Sequence, residues 1–207
     1  MKNNCFKLHK WANSLLVFKF PFDEKIIPLN GLYILFEKGE MAHGANRIVR
    51  IGTHTGANQL RSRLKQHFLV ENKDRSIFRK NIGRAILNKN NDPYLKLWEL
   101  DLTSKDAKEK FSTLLNIDYQ KQIEKQVSDY IQENFSFVVF QVENKEERLK
   151  IESGLISAVS LCPDCSSSDY WLGKFSPKEK IRQSGLWLVN ELYKQPLDEK
   201  IFNRFIR

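Results

Sequence analysis

Five residues able to act on a phosphodiester lie within positions 31–67: Tyr33, Arg50, His54, Arg63 and His67. A phenol or an imidazole can take a proton from water. A guanidinium binds a phosphate through paired N–H groups and keeps its charge throughout. Far along the chain one carboxylate, Glu152, sits three residues after Leu149 and four before Ile156, on or beside the inward face of a helix. A carboxylate with waters and a substrate phosphate is an ordinary way to hold Mg²⁺, so Glu152 is a candidate metal ligand. A salt-bridged glutamate at the core edge fits the same spacing.

These residues need elements to position them. Residues 31–37 alternate as a strand with Leu32, Ile34 and Phe36 on one face and Tyr33 and Leu35 on the other. A loop over 39–46 leads to a second strand over 47–54, with Val49 and Ile51 on one face and Arg50 and His54 on the other. A short loop makes the two strands antiparallel neighbours, and simple register puts Arg50 on the Tyr33 side. A guanidinium beside a phenol favours the phenolate, which makes Tyr33 a candidate base. Asn58 is the expected N-cap of a helix that carries Arg63 and His67 four residues apart, beside the apolar stripe Leu60, Leu64 and Phe68.

A second helix is expected over 76–87, a short strand over 94–102 and a charged surface helix or helix pair over 104–132. Residues 135–142 are apolar on both faces and read as the central strand. Residues 145–160 form a helix with Leu149, Ile156 and Val159 inward. The end is read as an extended piece at 171–175, a short helix at 177–183 and a helix over 187–194. Residues 1–28 are read as an irregular extension, 29–160 as the core with a helical insertion at about 103–133, and 161–207 as a helical extension packed on it.

The net charge is +9. Ten basic residues and two acids fall within 41–88, so most of the excess comes from under a quarter of the chain. A solvated face mixes both signs, and this imbalance points to a polyanion, nucleic acid first. No apolar run approaches the roughly 20 residues that span a bilayer, so no membrane partner is expected. With an odd number of cysteines, three, the expectation is a cytoplasmic protein. Cys162 and Cys165 have zinc-type spacing, but no second pair accompanies them, and they are expected on a surface loop. Gly-rich phosphate loops, two-histidine metalloprotease motifs and serine elbows are absent from the sequence, which removes kinase, dehydrogenase, protease and esterase readings.

The order Gly31-Leu32-Tyr33, then Arg50-Ile51-Gly52, then Arg63-x-x-x-His67, then an isolated helical Glu152, resembles the GIY-YIG nuclease family. The similarity covers about 29–160, with an insertion between 88 and 134. It implies an α+β fold, a small three-stranded antiparallel sheet flanked by helices. It also implies hydrolysis of DNA phosphodiesters with one divalent metal, Mg²⁺ or Mn²⁺, to 5′-phosphate and 3′-hydroxyl ends. By the resemblance Tyr33 takes the first tyrosine's role, Arg63 binds the scissile phosphate, His67 helps position water or phosphate, and Glu152 ligates the metal.

Arg50 stands where the family's second tyrosine belongs, and an arginine cannot act as a base. The base role falls to Tyr33, with His54 next; Arg50 joins Arg63 on the phosphate. Some restriction endonucleases of the family are similar in placing a basic residue there. Asn190 is the nearest candidate for the family's late asparagine. Arg61, Arg79, Lys80 and Arg84 are the candidates for flanking DNA contacts. The insertion reads as solvated decoration, with target recognition or homodimer contacts as its other uses. The 171–187 stretch resembles the tail of stand-alone bacterial members, and no separate DNA-binding domain is evident. The reading is a stand-alone or restriction-like endonuclease; the alternative is a binder that keeps the fold and does not cut.

Overall fold

In the computed structural model, which describes residues 2–206, the chain runs through α1 (Lys2–Ser14), β1 (Phe18–Lys19), β2 (Gly31–Ala42), β3 (Ala45–Gly52), α2 (Leu60–Phe68), α3 (Ile77–Lys89), α4 (Leu95–Trp98), α5 (Lys105–Phe111), α6 (Ile117–Asn134), β4 (Phe135–Gln141), α7 (Lys145–Ser160), α8 (Glu179–Ser184) and α9 (Glu199–Phe205). The sheet is antiparallel in the order β1-β4-β2-β3. The three expected strands are β4, β2 and β3. A fourth, β1, pairs Phe18 with Phe137 and Lys19 with Ser136, so β4 is internal, as its two apolar faces require.

The strand alternation separates two cores. Tyr33 and Leu35 face α2, α3 and α6, among Leu60, Leu64, Phe68, Phe78, Ile123 and Val127. Leu32, Ile34 and Phe36 face α1 and α7, among Cys5, Leu8, Ile151, Leu155 and Ile156. Hairpin β2–β3 closes through His43 (φ 54°) and Gly44 (φ 73°), both left-handed, as in the two-residue turn whose twist suits paired strands. Across the hairpin Leu35 faces Arg50 but Phe36 faces Ile48, so Val49 is the extra residue of a bulge. The bulge overturns one expectation: Val49 lies on the Tyr33 face while Ile48 and Ile51 share the other.

Other segments depart from the sequence reading for reasons of packing. Residues 2–14 are a helix, not an irregular leader; Cys5, Leu8 and Ala12 form its buried stripe. Residues 95–98 are a helical turn that buries Trp98, not a strand. Gln59, not Asn58, precedes α2; Asn58 has φ 59° and is held by Asn30, whose Oδ1 accepts from the Asn58 N–H at 2.7 Å. Far from being solvated decoration, α6 buries Ile123, Val127 and Ile131, four residues apart, in the core. Leu172–Phe175 is a single 3₁₀ turn. Residues 187–194 are not helical. There the Trp187 N–H donates to the Val49 carbonyl (2.8 Å), which pulls the backbone onto the bulged edge of β3. The Trp171 and Trp187 indole N–H groups both donate to Glu37 on β2, at 2.7 and 2.8 Å. Burial raises the Glu37 carboxyl above the usual carboxylate range, opposed by those donors and the Tyr130 hydroxyl. Cys162 and Cys165 are buried beside α1, not on a surface loop. No helix among the described residues is long and apolar enough to cross a membrane.

Candidate active site

The start of β2 and the end of β3 are built for close approach. A Cβ on Gly31 would collide with the Phe140 carbonyl of β4, and one on Gly52 would collide with the Tyr33 hydroxyl. Only glycine at 52 leaves room for the phenol, which explains why the two glycine motifs occur as a pair. Tyr33 is 1% exposed. Its hydroxyl lies 2.8 Å from His67 Nε2, and Arg50 Nε donates to it at 3.3 Å. On the other side of the imidazole, His67 Nδ1 is 2.7 Å from Ser76 Oγ, the oxygen that caps α3 by accepting from the Arg79 N–H. Two proton arrangements satisfy the chain: Tyr33 O–H donating to Nε2 with Nδ1–H donating to Ser76, or Ser76 O–H donating to Nδ1 with Nε2–H donating to Tyr33. Burial, with Arg50, Arg63 and Arg79 nearby, holds the imidazole well below its ordinary pKa, so it is neutral.

Arg50 also donates to the Trp187 carbonyl and lies over the Phe78 ring, 5.3 Å from its centroid. The tail therefore fixes the guanidinium from one side and the core from the other.

In front of Arg50 lies a cavity of about 450 Å³ whose walls include Arg50, Arg63, Asn81, Glu152, Asn190 and Glu191. The Tyr33 hydroxyl is one hydrogen bond behind this wall. Leu149, expected inward, is 37% exposed and lines the same cavity with Glu152 and Ile156. Leu149 and Glu152 thus face the hollow, while Ile151, Leu155, Ile156 and Val159 take the core positions. Residues from β3, α2, α3, α7 and the tail, up to 141 positions apart from Arg50 to Glu191, converge here.

Three features suit an anion with a cation. Arg63 Nε and Asn81 Nδ2 are buried and have no hydrogen-bond partner, so two donors on the wall are unsatisfied. Among the described residues neither Arg50 nor Arg63 makes an ion pair with a carboxylate. Glu152 accepts from the Thr53 N–H through Oε1 at 3.0 Å, which aims the carboxylate and leaves Oε2 open. Burial raises its pKa above the usual value, against the lowering effects of Arg50, the Thr53 N–H and Arg63, while Glu191 raises it further. One oriented carboxylate in a hollow with room for waters fits a Mg²⁺-type ion.

The remaining candidates are placed elsewhere. His54 donates through Nδ1 to the Gly56 carbonyl (2.6 Å), and its Nε2 accepts from the Gly31 N–H (3.3 Å), so both nitrogens are engaged; burial lowers its pKa. It lines a smaller hollow of about 140 Å³ that shares Arg63 with the larger one. Arg61 donates to the Ile27 and Lys25 carbonyls. Arg79 is fully buried against Glu124, Lys80 is paired with Asp74, and Arg84 with Glu99. Four acids from outside that stretch pair with the basic residues of 41–88, Glu24 with Lys65, Glu40 with Arg47, Glu99 with Arg84 and Glu124 with Arg79, and so offset half of its excess. Sequence reasoning missed Thr53, Ser76, Asn81 and Trp187. Ser76 alone had a signal, as a serine just before a helix.

A protein-family model described as the GIY-YIG domain matches residues 16–207. No curated protein and no solved structure matches the chain.

Proposed function

The chain belongs to the GIY-YIG family of nucleases, and from that premise we propose that it cleaves DNA phosphodiester bonds with one Mg²⁺ or Mn²⁺ ion, leaving 5′-phosphate and 3′-hydroxyl ends. The observation that carries the reading is the single hollow walled by Glu152, Arg63 and Arg50, with the Tyr33 hydroxyl bonded to Arg50.

The scissile phosphate sits against Arg63 and Asn81, whose buried N–H groups then gain an acceptor. Arg50 adds a second charge. Both stabilise the charge that develops on the phosphoryl oxygens, and a water-poor pocket strengthens that effect. Tyr33 is the proton acceptor for the attacking water once Arg50, which covers its hydroxyl, swings onto the bound phosphate; with its proton on the hydroxyl, Tyr33 passes it to His67 Nε2. Burial first, and then Arg50, Arg63 and Arg79, keep His67 neutral; a bound phosphate offsets the cations' share, so the imidazole gains some basicity when it is needed. His54 is the weaker base, since taking a proton at Nε2 would break its bond from Gly31. Glu152 would hold the metal, which supplies Lewis-acid charge for the leaving oxygen. Arg79, Lys80 and Arg84 hold α3 and so the Ser76 cap behind His67.

A restriction-like role is part of the proposal and rests on the basic residue at position 50. The test is nicking of supercoiled plasmid with Mg²⁺ and with EDTA, for wild type, Glu152→Ala and Arg63→Ala. Metal-triggered nicking lost in both variants supports the proposal. Equal nicking by both variants, or salt-sensitive DNA binding without any nicking, refutes it. Cleavage of a mixed DNA library, with the ends sequenced, then reads the target.

A further inference from the structure

Three segments that play no part in the cavity meet on the face of the sheet that α1 and α7 cover. Helix α1 brings Cys5 and His9, the left-handed hairpin turn brings His43, and the loop after α7 brings Cys162 and Cys165. One donor atom each from Cys5, His9, His43 and Cys165 lie within 4.8 Å of one another, and Cys162 Sγ is 3.6 Å from His43 Nε2. All three cysteines are free and buried. A hydrophobic core gains little from gathering three thiols and two imidazoles at one point, but a metal gains a complete ligand shell.

His9 is already committed. Its Nδ1 lies 2.9 Å from the Cys5 carbonyl, to which only a protonated Nδ1 can bond, and its Nε2 accepts from the Ile48 N–H at 3.1 Å. With one nitrogen protonated and the other lone pair engaged, His9 has none left for a metal. Its ring packs 4.9 Å from that of His43 and supports it. Four donors remain: three sulfurs and His43 Nε2. With Zn–S near 2.3 Å and Zn–N near 2.0 Å, a tetrahedral S···N edge is about 3.5–3.6 Å. The Cys162–His43 separation of 3.6 Å equals that edge; the Cys5 and Cys165 sulfurs lie at 3.6 and 3.5 Å from the two His9 nitrogens, so it is the backbone bonds of His9, not distance, that set it apart.

We propose that Cys5, His43, Cys162 and Cys165 bind one structural zinc ion, with His9 as a supporting residue in contact with the ligands. Three thiolates and one imidazole make a closed tetrahedral set with no position for substrate, and the Cys162-x-x-Cys165 spacing is that of such sites. The ion would clamp α1 and the α7 exit to the hairpin tip, a staple remote from the Glu152 cavity. Soft thiolates select zinc over Mg²⁺, so the two sites take different ions.

The test is elemental analysis of the full chain purified without chelator, followed by cobalt exchange. About one zinc per chain is expected, released in step with modification of the thiols by an organomercurial. Cobalt in its place should give tetrahedral visible bands and a thiolate-to-cobalt charge-transfer band. In Cys162→Ser that band should fall by about a third, as three thiolates become two, and His9→Gln should leave it unchanged. Should Cys162→Ser not fold, wild type alone decides: chelation must lower the melting temperature, and zinc must restore it. Iron in place of zinc, no metal at all, a Cys5–Cys165 disulfide, or a charge-transfer band lost in His9→Gln and kept in Cys162→Ser overturns the assignment. Because the readouts are metal content and spectra, the result stands apart from whether the protein cuts DNA.

Discussion

Arg50 and Arg63 carry the same functional group as Arg79 and Arg84 and come from the same basic stretch of chain, yet the fold treats them oppositely. Arg79 bonds to Glu124, Ser128 and the His67 carbonyl; Arg84 has Glu99 and Asn81. Arg50 and Arg63 are given only neutral partners: the Tyr33 hydroxyl and Trp187 carbonyl for one, Gln66 and the Arg75 carbonyl for the other. A guanidinium that faces a hollow without being paired to a carboxylate keeps its N–H groups available to an incoming anion. One locked against a carboxylate in the interior has already spent them on the fold. Local charge density in a sequence does not separate these cases; the position of the counter-charge does.

The comparison is most severely tested at Arg79. Replacing it with alanine leaves Glu124 buried without its cation, which costs about 3–5 kcal/mol of stability. Replacing the pair together, Arg79→Met with Glu124→Leu, should recover most of that loss. Urea denaturation measures both. An Arg79→Ala protein as stable as wild type would show that the buried pair is not the support described above.

Arg63 should behave in the opposite way. Its removal leaves no buried carboxylate without a cation, so Arg63→Ala should melt within a few degrees of wild type while cleavage falls about 10²–10³-fold. Arg63→Lys should not restore it, because a point charge lacks the paired N–H geometry. Recovery to near wild-type rate in the lysine variant would mean that charge alone suffices. Behind the wall, Tyr33→Phe keeps the ring packed beside Gly52 and deletes only the hydroxyl shared by Arg50 and His67. Plasmid cleavage should fall about 10²-fold; an unaltered rate would move the base role away from this residue.

The cavity was partly legible because its pieces follow local rules. Alternation in 31–37 separates Tyr33 from Leu32 and Ile34, helical spacing places Arg63 near His67, and a carboxylate three residues from Leu149 and four from Ile156 had to lie near a sheltered face. What escaped depends on distant chain. The bulge at Val49 breaks the alternation of β3, and it lies where Trp187, far along the sequence, bonds to that strand. Asn81 reads as one polar residue in a helix until the tail and α7 close a hollow over it. Cys5 looks isolated from Cys165 because they meet only where α1 packs beside the loop after α7, next to His43 on a hairpin tip whose reach no spacing rule encodes. Residues 187–194 have helical composition, but sheet-edge bonding and the Glu37 anchor override it.

Glu152 tests the same contrast from the acidic side with the smallest effect. Its raised pKa means that ionising it inside the fold costs more than in the unfolded chain. The group's stabilising contribution is complete below the ordinary glutamate value and is lost as pH rises through the raised one. At neutral pH in EDTA, Glu152→Gln, which can still accept from the Thr53 N–H, should therefore be more stable by on the order of 1 kcal/mol, or about 2–4 °C for a domain of this size. The difference should vanish in acid. Excess Mg²⁺ should narrow it from the other direction, because only the carboxylate gains from the ion. In cleavage, where the ion is bound, the acid limb should move to lower pH as Mg²⁺ is raised, because proton and metal compete for the one carboxylate. A Glu152→Gln protein less stable than wild type in EDTA at neutral pH would mean that Glu152 is a structural acid like Glu124, held by its cations rather than kept for a metal.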